Sequence, residues 1–346
     1  MTLSLAVDTA RWRAHQRAVL AEFPGLVPVA KGNGYGLGNA RLAAEAELLG
    51  TPLLAVGTAA EAAAVLDHFR GDVLVLTPYR AGEDQAELPA RVIRTVAHLE
   101  ALRALPPGSR VVVECMTSMR RHGIAPADLP RLPMDGVVFE GFALHLPLDR
   151  PGEAPGDEAS VAEVTGWVEA VAAAGLPTGT VFLSHLGAAG VARLAARFPG
   201  TDFRSRIGTR LWLGDPGALT ARATVLDVTP IVKGDRYGYR QHRAPSDGHL
   251  LVVTGGTAHG VGLEAPKYLH GMVPRAKGLA RAGLATVNRT LSPYSWTGRQ
   301  LWFAEPPHMQ VSILFLPGDT KPPVIGDELP LNTRHTTTHF DRVVDR

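Results

Sequence analysis

From residue 26 to residue 214, apolar residues fall into short runs, most of them followed by a stretch with helical spacing. The runs LVPVA (26–30), PLLAVG (52–57), DVLVLTP (72–78), RVIRTVA (91–97), RVVVECM (110–116), GVVFEGFALHL (136–146), TVFLSH (180–185) and FRSRIGTRLWLG (203–214) read as strands. Short apolar runs bounded by turn residues suit strands buried on both faces. The stretches NARLAAEAELLG, TAAEAAAVLDHF, LEALRAL, DEASVAEVTGWVEAVAAAG and AAGVARLAARF read as helices, with a short one near EDQAEL. A further helix, DTARWRAHQRAVLAEF, starts ahead of them at the candidate N-cap Asp8. Strands alternating with helices imply a parallel sheet, and eight such units in roughly 215 residues fit a (β/α)8 TIM-type barrel better than an open doubly wound sheet.

Past about residue 220 the pattern becomes strands joined by turns: ATVLDVTPIVKGDRYGYRQ, GHLLVVTGG, MQVSILFLPGD and HTTTHFDRVV. The segment 263–307 reads as a loop-rich excursion. The expected organisation is α/β, with a barrel over residues 1–220 and a C-terminal all-β domain over residues 221–346.

Composition narrows the function. With 346 residues, 35 basic against 33 acidic side chains and a net charge of +2, the chain has no polybasic block for nucleic acid or anionic lipid. One cysteine, Cys115, excludes an intrachain disulfide framework and suits a reducing compartment. No apolar run approaches the roughly 20 residues that span a bilayer. The N-terminus lacks a basic region followed by an apolar stretch, so no secretory signal is expected and the expected location is cytoplasmic.

Only five of the 35 basic residues are lysines, so each lysine is notable. Lys31 ends the run LVPVA and precedes the glycine-rich GNGYGLG. At the C-terminal end of a barrel strand it lies where barrel enzymes keep their chemistry. Partial desolvation there lowers a lysine pKa and frees a nucleophilic amine able to form a Schiff base. A plain loop lysine paired with a carboxylate fits the same spacing.

VAKGNGYGLG resembles the cofactor-lysine motif of the alanine racemase family, V-K-A-N-A-Y-G-H-G, with Lys31, Asn33, Tyr35, Gly36 and Gly38 in register. VECMTSMRRHGI resembles that family's K-V-D-T-G-M-G-R-L-G segment through Thr117, Met119, Arg121 and Gly123. GFALHLPL and RSRIGTRLWLG resemble two further segments, placing His145 and Arg206. The family's layout, a βα barrel followed by a β domain, is the order already read.

The resemblance implies pyridoxal 5′-phosphate bound covalently to Lys31, which also serves as a base. It implies Tyr35 among the cofactor-binding residues and Gly208 and Thr209 at the phosphate, with Gly187 of SHLGAAG as a further contributor. His145 would stack on the pyridine ring, Arg206 would donate to the pyridine nitrogen, and Arg121 would reach the phenolic oxygen and the substrate carboxylate. Glu114 falls where some members hold that arginine with a carbamylated lysine. Arginine has no acceptor and keeps its protons, so the pyridine nitrogen would stay unprotonated and the ring a weaker electron sink. The family's sites combine two subunits, which implies a head-to-tail homodimer acting on a small amino-acid substrate, with Met309 near the partner's substrate.

The β domain departs from the pattern. In TGGTAHGVG, Thr257 stands where the family has the tyrosine that acts as second base, and His259 where it has an aspartate. Threonine is not a general base. His259 is the expected replacement, with Tyr268 and Tyr294 as further candidates. Asp341 stands where the family has a late phosphate-binding tyrosine, and that role is not carried over. The leading expectation is an amino-acid racemase, an isomerase. A lyase or decarboxylase, or a cofactor-binding protein without turnover, are the alternatives. A metal site on a strand carrying His335, His339 and Asp341 is a separate reading; the leading reading needs no metal.

Overall fold

The structure, a computed structural model, describes residues 2–82, 88–149, 157–263 and 290–346. The chain begins with strand β1 (Leu3–Val7) and helix α1 (Thr9–Glu22). There follow β2 (Val27–Ala30), α2 (Asn39–Leu48), β3 (Leu53–Val56), α3 (Ala59–Leu66), β4 (Asp72–Val75), β5 (Val92–Val96), α4 (Leu99–Arg103) and β6 (Arg110–Glu114). The series ends with β7 (Val138–His145), α5 (Glu158–Ala173), β8 (Thr180–Ser184), α6 (Ala188–Arg197), β9 (Asp202–Ile207) and α7 (Thr209–Leu213). Strands β2 to β9 form a closed, all-parallel barrel, sealed by the pairing of β9 with β2 at Arg206 and Val27. The short helix expected near EDQAEL falls largely on residues 83–87, outside the described residues.

The barrel closes around the apolar side chains that its strands turn inward. Val27, Val29, Leu53, Ala55, Leu74, Ile93, Val112, Ala143 and Phe182 fill its interior as one cluster. Burying each of the larger of these side chains contributes roughly 1.5–3 kcal/mol. The helices cover the outside with one apolar stripe each. In α5 the stripe is Val161, Val164, Trp167, Val168 and Val171, at helical spacing. Helix α3 is capped by Thr58, whose hydroxyl accepts the Glu61 N–H at 3.2 Å.

The remaining strands are β10 (Leu219–Ile231), β11 (Arg236–Tyr237), β12 (His242–Arg243), β13 (Gly248–Thr254), β14 (Leu291–Trp296), β15 (Arg299–Phe303), β16 (Val311–Pro317), β17 (Glu328–Leu331) and β18 (Arg342–Asp345). Eight strands form one sheet in the order β13-β16-β15-β14-β17-β10-β1-β18, and β10 also pairs with β13. Its core includes Leu3, Val225, Leu251, Tyr294, Leu314 and Leu329.

The chain divides into two compact units, residues 13–214 and residues 1–12 together with 215–346. This differs from the expected division at 220. The N-terminal strand β1 pairs antiparallel with β10 and parallel with β18, and so joins the β unit. Three element readings also change. FRSRIGTRLWLG is not one strand: β9 stops at Ile207 and α7 follows Gly208. The excursion contains the hairpin β14–β15, turning at Thr297 and Gly298, which both have positive φ as a two-residue hairpin turn requires. Residues 264–289, with Tyr268, lie outside the described residues. HTTTHFDRVV is a strand only from Arg342. Residues 335–337 form a turn, so the same-face argument for His335, His339 and Asp341 fails. Among the described residues no group of three or more histidine, cysteine, aspartate or glutamate side chains could hold a metal ion, and no helix is long and apolar enough to cross a membrane.

Candidate active site at the barrel mouth

Parallel pairing in a closed barrel brings the C-terminal ends of all eight strands to one rim. Lys31 follows the last residue of β2, Glu114 and His145 end β6 and β7, His185 follows β8, and Gly208 follows β9. Five positions scattered over 178 residues of sequence thereby share one mouth.

The loop after Lys31 is wound through unusual backbone. Gly32, Gly34, Gly36 and Gly38 all have positive φ, and so does Tyr35 at 56°. For a buried tyrosine this conformation carries strain, of order 1–3 kcal/mol, held by the surrounding structure. The Glu61 carboxylate ties the loop down. It accepts the Gly32 N–H at 2.9 Å and the Gly57 N–H at 2.8 Å.

Lys31 is solvent-accessible, yet its pKa is lowered by partial desolvation and then by Arg121 and Arg206; Glu61 opposes the shift. Its amine makes no hydrogen bond or ion pair among the described residues. The reading as a paired loop lysine therefore gives way to the reading as a free amine in a cationic mouth. Tyr35 is buried against the next βα turn. Burial pushes its phenol up to about 12, although Thr209 hydrogen-bonds to it. Gly208 makes that approach possible, because a Cβ there would lie 1.9 Å from the Tyr35 Oη.

Arg206 is sealed in the barrel beneath the rim, 3 % exposed in its side chain. One amino group donates to Glu114 Oε2 at 3.4 Å and the other to the Leu144 carbonyl at 3.2 Å. Its Nε is buried and has no partner. Glu114 therefore pairs with Arg206, not with Arg121 as the resemblance implied; Arg121 acts on it only through space. Burial holds the Glu114 pKa above the ordinary carboxylate range despite both arginines.

His145 has its pKa pushed down to about 3 by burial and by Arg121, Arg206, His185 and Lys31. It is a neutral ring at any working pH. Its centroid lies 4.9 Å from that of His185, edge to face. His185 was missed by the sequence reading. It has φ 63° and a pKa lowered by burial and then by Lys31. The exposed Arg121 makes no ion pair among the described residues, which leaves a guanidinium for an incoming carboxylate. The Gly187 N–H, expected to face a phosphate, is taken by Asp157 Oδ2 at 3.0 Å. A carboxylate already held there repels a second anion, so Gly187 drops out of the anion site.

The β unit places the other candidates. His259 is buried with both ring nitrogens engaged. Nδ1 accepts the Gly256 N–H at 3.2 Å and Nε2 donates to Asp341 Oδ1 at 3.1 Å. Asp341 Oδ2 in turn accepts the Leu3 N–H at 2.8 Å. The expectation that His259 is the second base is therefore corrected: the ring ties the 257–259 turn to the C-terminal segment and has no free lone pair. Tyr294 is fully buried and donates to the Thr254 and Gly255 carbonyls at 3.1 and 2.8 Å, which removes it as a base as well. Met309 is 71 % exposed.

The barrel mouth fits the expected cofactor at several points. An unpaired amine in Lys31, an orphaned buried donor in Arg206 Nε, a neutral ring in His145 and a backbone cradle at Gly208 are all present among the described residues.

Comparison with known proteins agrees with this geometry. Residues 7–213 match the family model described as alanine racemase, N-terminal domain. An alanine racemase of Mycolicibacterium vanbaalenii is 30 % identical over 277 residues, covering 72 % of this chain and 70 % of that protein. Two crystal structures share the fold. One is the Bartonella henselae alanine racemase with covalently bound pyridoxal phosphate (TM-score 0.70, 19 % identity, 97 % of this chain and 91 % of that one). The other is the biosynthetic alanine racemase of Pseudomonas aeruginosa (TM-score 0.70, 19 % identity, 100 % and 99 %). A barrel of eight parallel strands, a lysine at the end of its first strand, and a family model spanning most of that barrel lead to one conclusion: the chain belongs to the alanine racemase family.

Proposed function

We propose that the protein is a pyridoxal-phosphate-dependent amino-acid racemase that holds its cofactor through Lys31 Nζ. The observation that carries this reading is the pairing of two features in one mouth: a free, low-pKa lysine, and a buried arginine whose Nε lacks a partner. When bound, pyridoxal phosphate supplies an electron-withdrawing ring that acidifies the α-proton of an attached amino acid. Lys31 Nζ would take or return that proton. Arg206 Nε would donate to the pyridine nitrogen and keep it unprotonated. Tyr35 and the backbone amides of Gly208 and Thr209 take the phosphate. His145 would lie against the ring, and Arg121 would clamp the substrate carboxylate.

The working unit is a head-to-tail homodimer in the cytoplasm, with the β unit of one copy, including Met309, completing the site of the other. Thr257 and the engaged ring of His259 favour a second reading, in which a single base remains and the protein is a lyase or a cofactor carrier. Arg206 weighs against decarboxylation, which gains from a stronger electron sink.

The purified protein is expected to show the visible absorbance of lysine-bound cofactor, lost in Lys31→Ala. Single enantiomers of a panel of amino acids, incubated in D2O, are then followed for α-proton exchange. Exchange with inversion supports the racemase; exchange with retention, or none, supports the second reading.

A further inference from the structure

The β unit contains an imidazole held in a different way from His259. His308 Nε2 lies 2.7 Å from Glu305 Oε1, and the Glu305 side chain is 3 % exposed. A carboxylate accepts, so Nε2 carries the proton and Nδ1 keeps the lone pair. Nδ1 has no partner among the described residues. The other carboxylate oxygen accepts the Tyr239 N–H at 2.9 Å, so Glu305 is fixed at both ends. Gly238 is required for this: at φ +71° a Cβ would lie 2.2 Å from Glu305 Oε2. The Tyr239 ring, 83 % exposed, lies over the imidazole with centroids 4.5 Å apart.

Position matters as much as geometry. The Thr257 N–H donates to the His308 carbonyl at 2.8 Å, and the Ala258 N–H to the Met309 carbonyl at 3.0 Å. His308 is thus the immediate neighbour of the residue that replaced the expected base, and exposed Met309 follows it. A buried glutamate spent on orienting one accessible imidazole makes a proton-transfer device.

We infer that His308 is the second acid–base residue, carried by the β unit beside Thr257, with Glu305 as its positioning residue. It acts on substrate held at the Lys31 site of a second copy of the chain, and this rests on the proposed function above. In one direction Lys31 Nζ takes the proton from the substrate α-carbon and becomes an ammonium. Protonated His308 delivers a proton from Nδ1 to the opposite face and becomes neutral. The reverse direction exchanges the two roles. One proton leaves and one arrives, so the substrate inverts with its composition unchanged.

Three measurements test this. His308→Ala is expected to lower racemisation by at least about 100-fold, the low end for a general acid–base group. It should still exchange the α-proton of one enantiomer with retention. Mixing Lys31→Ala chains with His308→Ala chains is expected to restore about a quarter of the wild-type rate, since half of random dimers carry one intact site. Independently of activity, Lys31→Cys and His308→Cys chains carrying different tags are joined by a short bismaleimide; the mixture, and neither chain alone, is expected to give a covalent dimer. Restoration and cross-linking support the inference. Full racemisation by His308→Ala, no restoration in the mixture, or no cross-link between copies overturns it. Borohydride fixation of a pyridoxyl group on Lys31 in His308→Ala separates the two failures. If the label is present and racemisation unchanged, only the role of His308 is lost; if wild-type protein takes no label, the proposed function itself fails.

Discussion

Arg206 and Glu114 form a buried ion pair at 3.4 Å, each side chain 3 % exposed, and the arginine keeps one N–H without a partner. Two charges taken out of water gain little net stability from each other, yet removing one leaves the other uncompensated. The pair is better explained by what the spare donor meets than by what it adds to folding. Glu114→Ala is expected to cost about 3–5 kcal/mol, while replacing both residues by methionine recovers most of it. Denaturant unfolding of Glu114→Ala and of the double methionine variant checks this. The double variant should fold and fail to retain cofactor on dialysis.

Close approach at Gly208 gives a second prediction. Gly208→Ala pushes a methyl into the Tyr35 hydroxyl, at an overpacking cost of about 1–3 kcal/mol, and displaces the ring from the βα turn. Tyr35→Phe removes the hydroxyl that Thr209 bonds and that would bond the phosphate; the bond to an anion is worth about 1.5–3 kcal/mol, or roughly 10–100-fold in affinity. Spectrophotometric titration of apo-protein with pyridoxal phosphate is expected to show weaker binding for both variants. Gly208→Ala should lower the melting temperature by more than Tyr35→Phe, which loses only the Thr209 bond in the apo-protein.

The third prediction concerns pH. His145 stays neutral in the folded chain down to about 3, whereas the unfolded chain binds its proton near 6.5. Where the unfolded state binds more protons, stability falls as pH falls. Apo-protein is therefore expected to lose stability progressively between pH 6.5 and about 3. The loss should be smaller in His145→Gln. Arg121, Arg206, His185 and Lys31 all act on the ring in the same direction, so the difference between the two melting profiles isolates the histidine. Identical profiles would refute the depressed pKa.

The barrel was legible because its signal is local. An apolar run of four or five residues, such as Leu53–Val56, shows its own burial, and its C-terminal end locates the chemistry. Lys31 became a candidate from its place after such a run, and Arg206 and His145 from the family resemblance. What was illegible depends on contacts across the chain. Strand β1 owes its place to pairing with residues more than 200 positions away. His259 reads as a free base until Asp341, 82 residues on, takes its Nε2 proton. Gly187 reads as an anion nest until Asp157 fills it. His185 has no motif at all and is recognised only by the rim it shares with His145. Glu61 left one usable signal, its position three residues after the helix-capping Thr58. Its carboxylate reaches two loop amides, which no spacing announces.

The central claim is a covalent bond between one lysine and an aldehyde cofactor. Holo-protein is reduced with borohydride, digested and mapped by mass spectrometry. The account predicts a pyridoxyl adduct on Lys31 and on none of the other four lysines, absent when Lys31→Ala is treated in the same way. A label distributed over several lysines, or no label on Lys31, would contradict it.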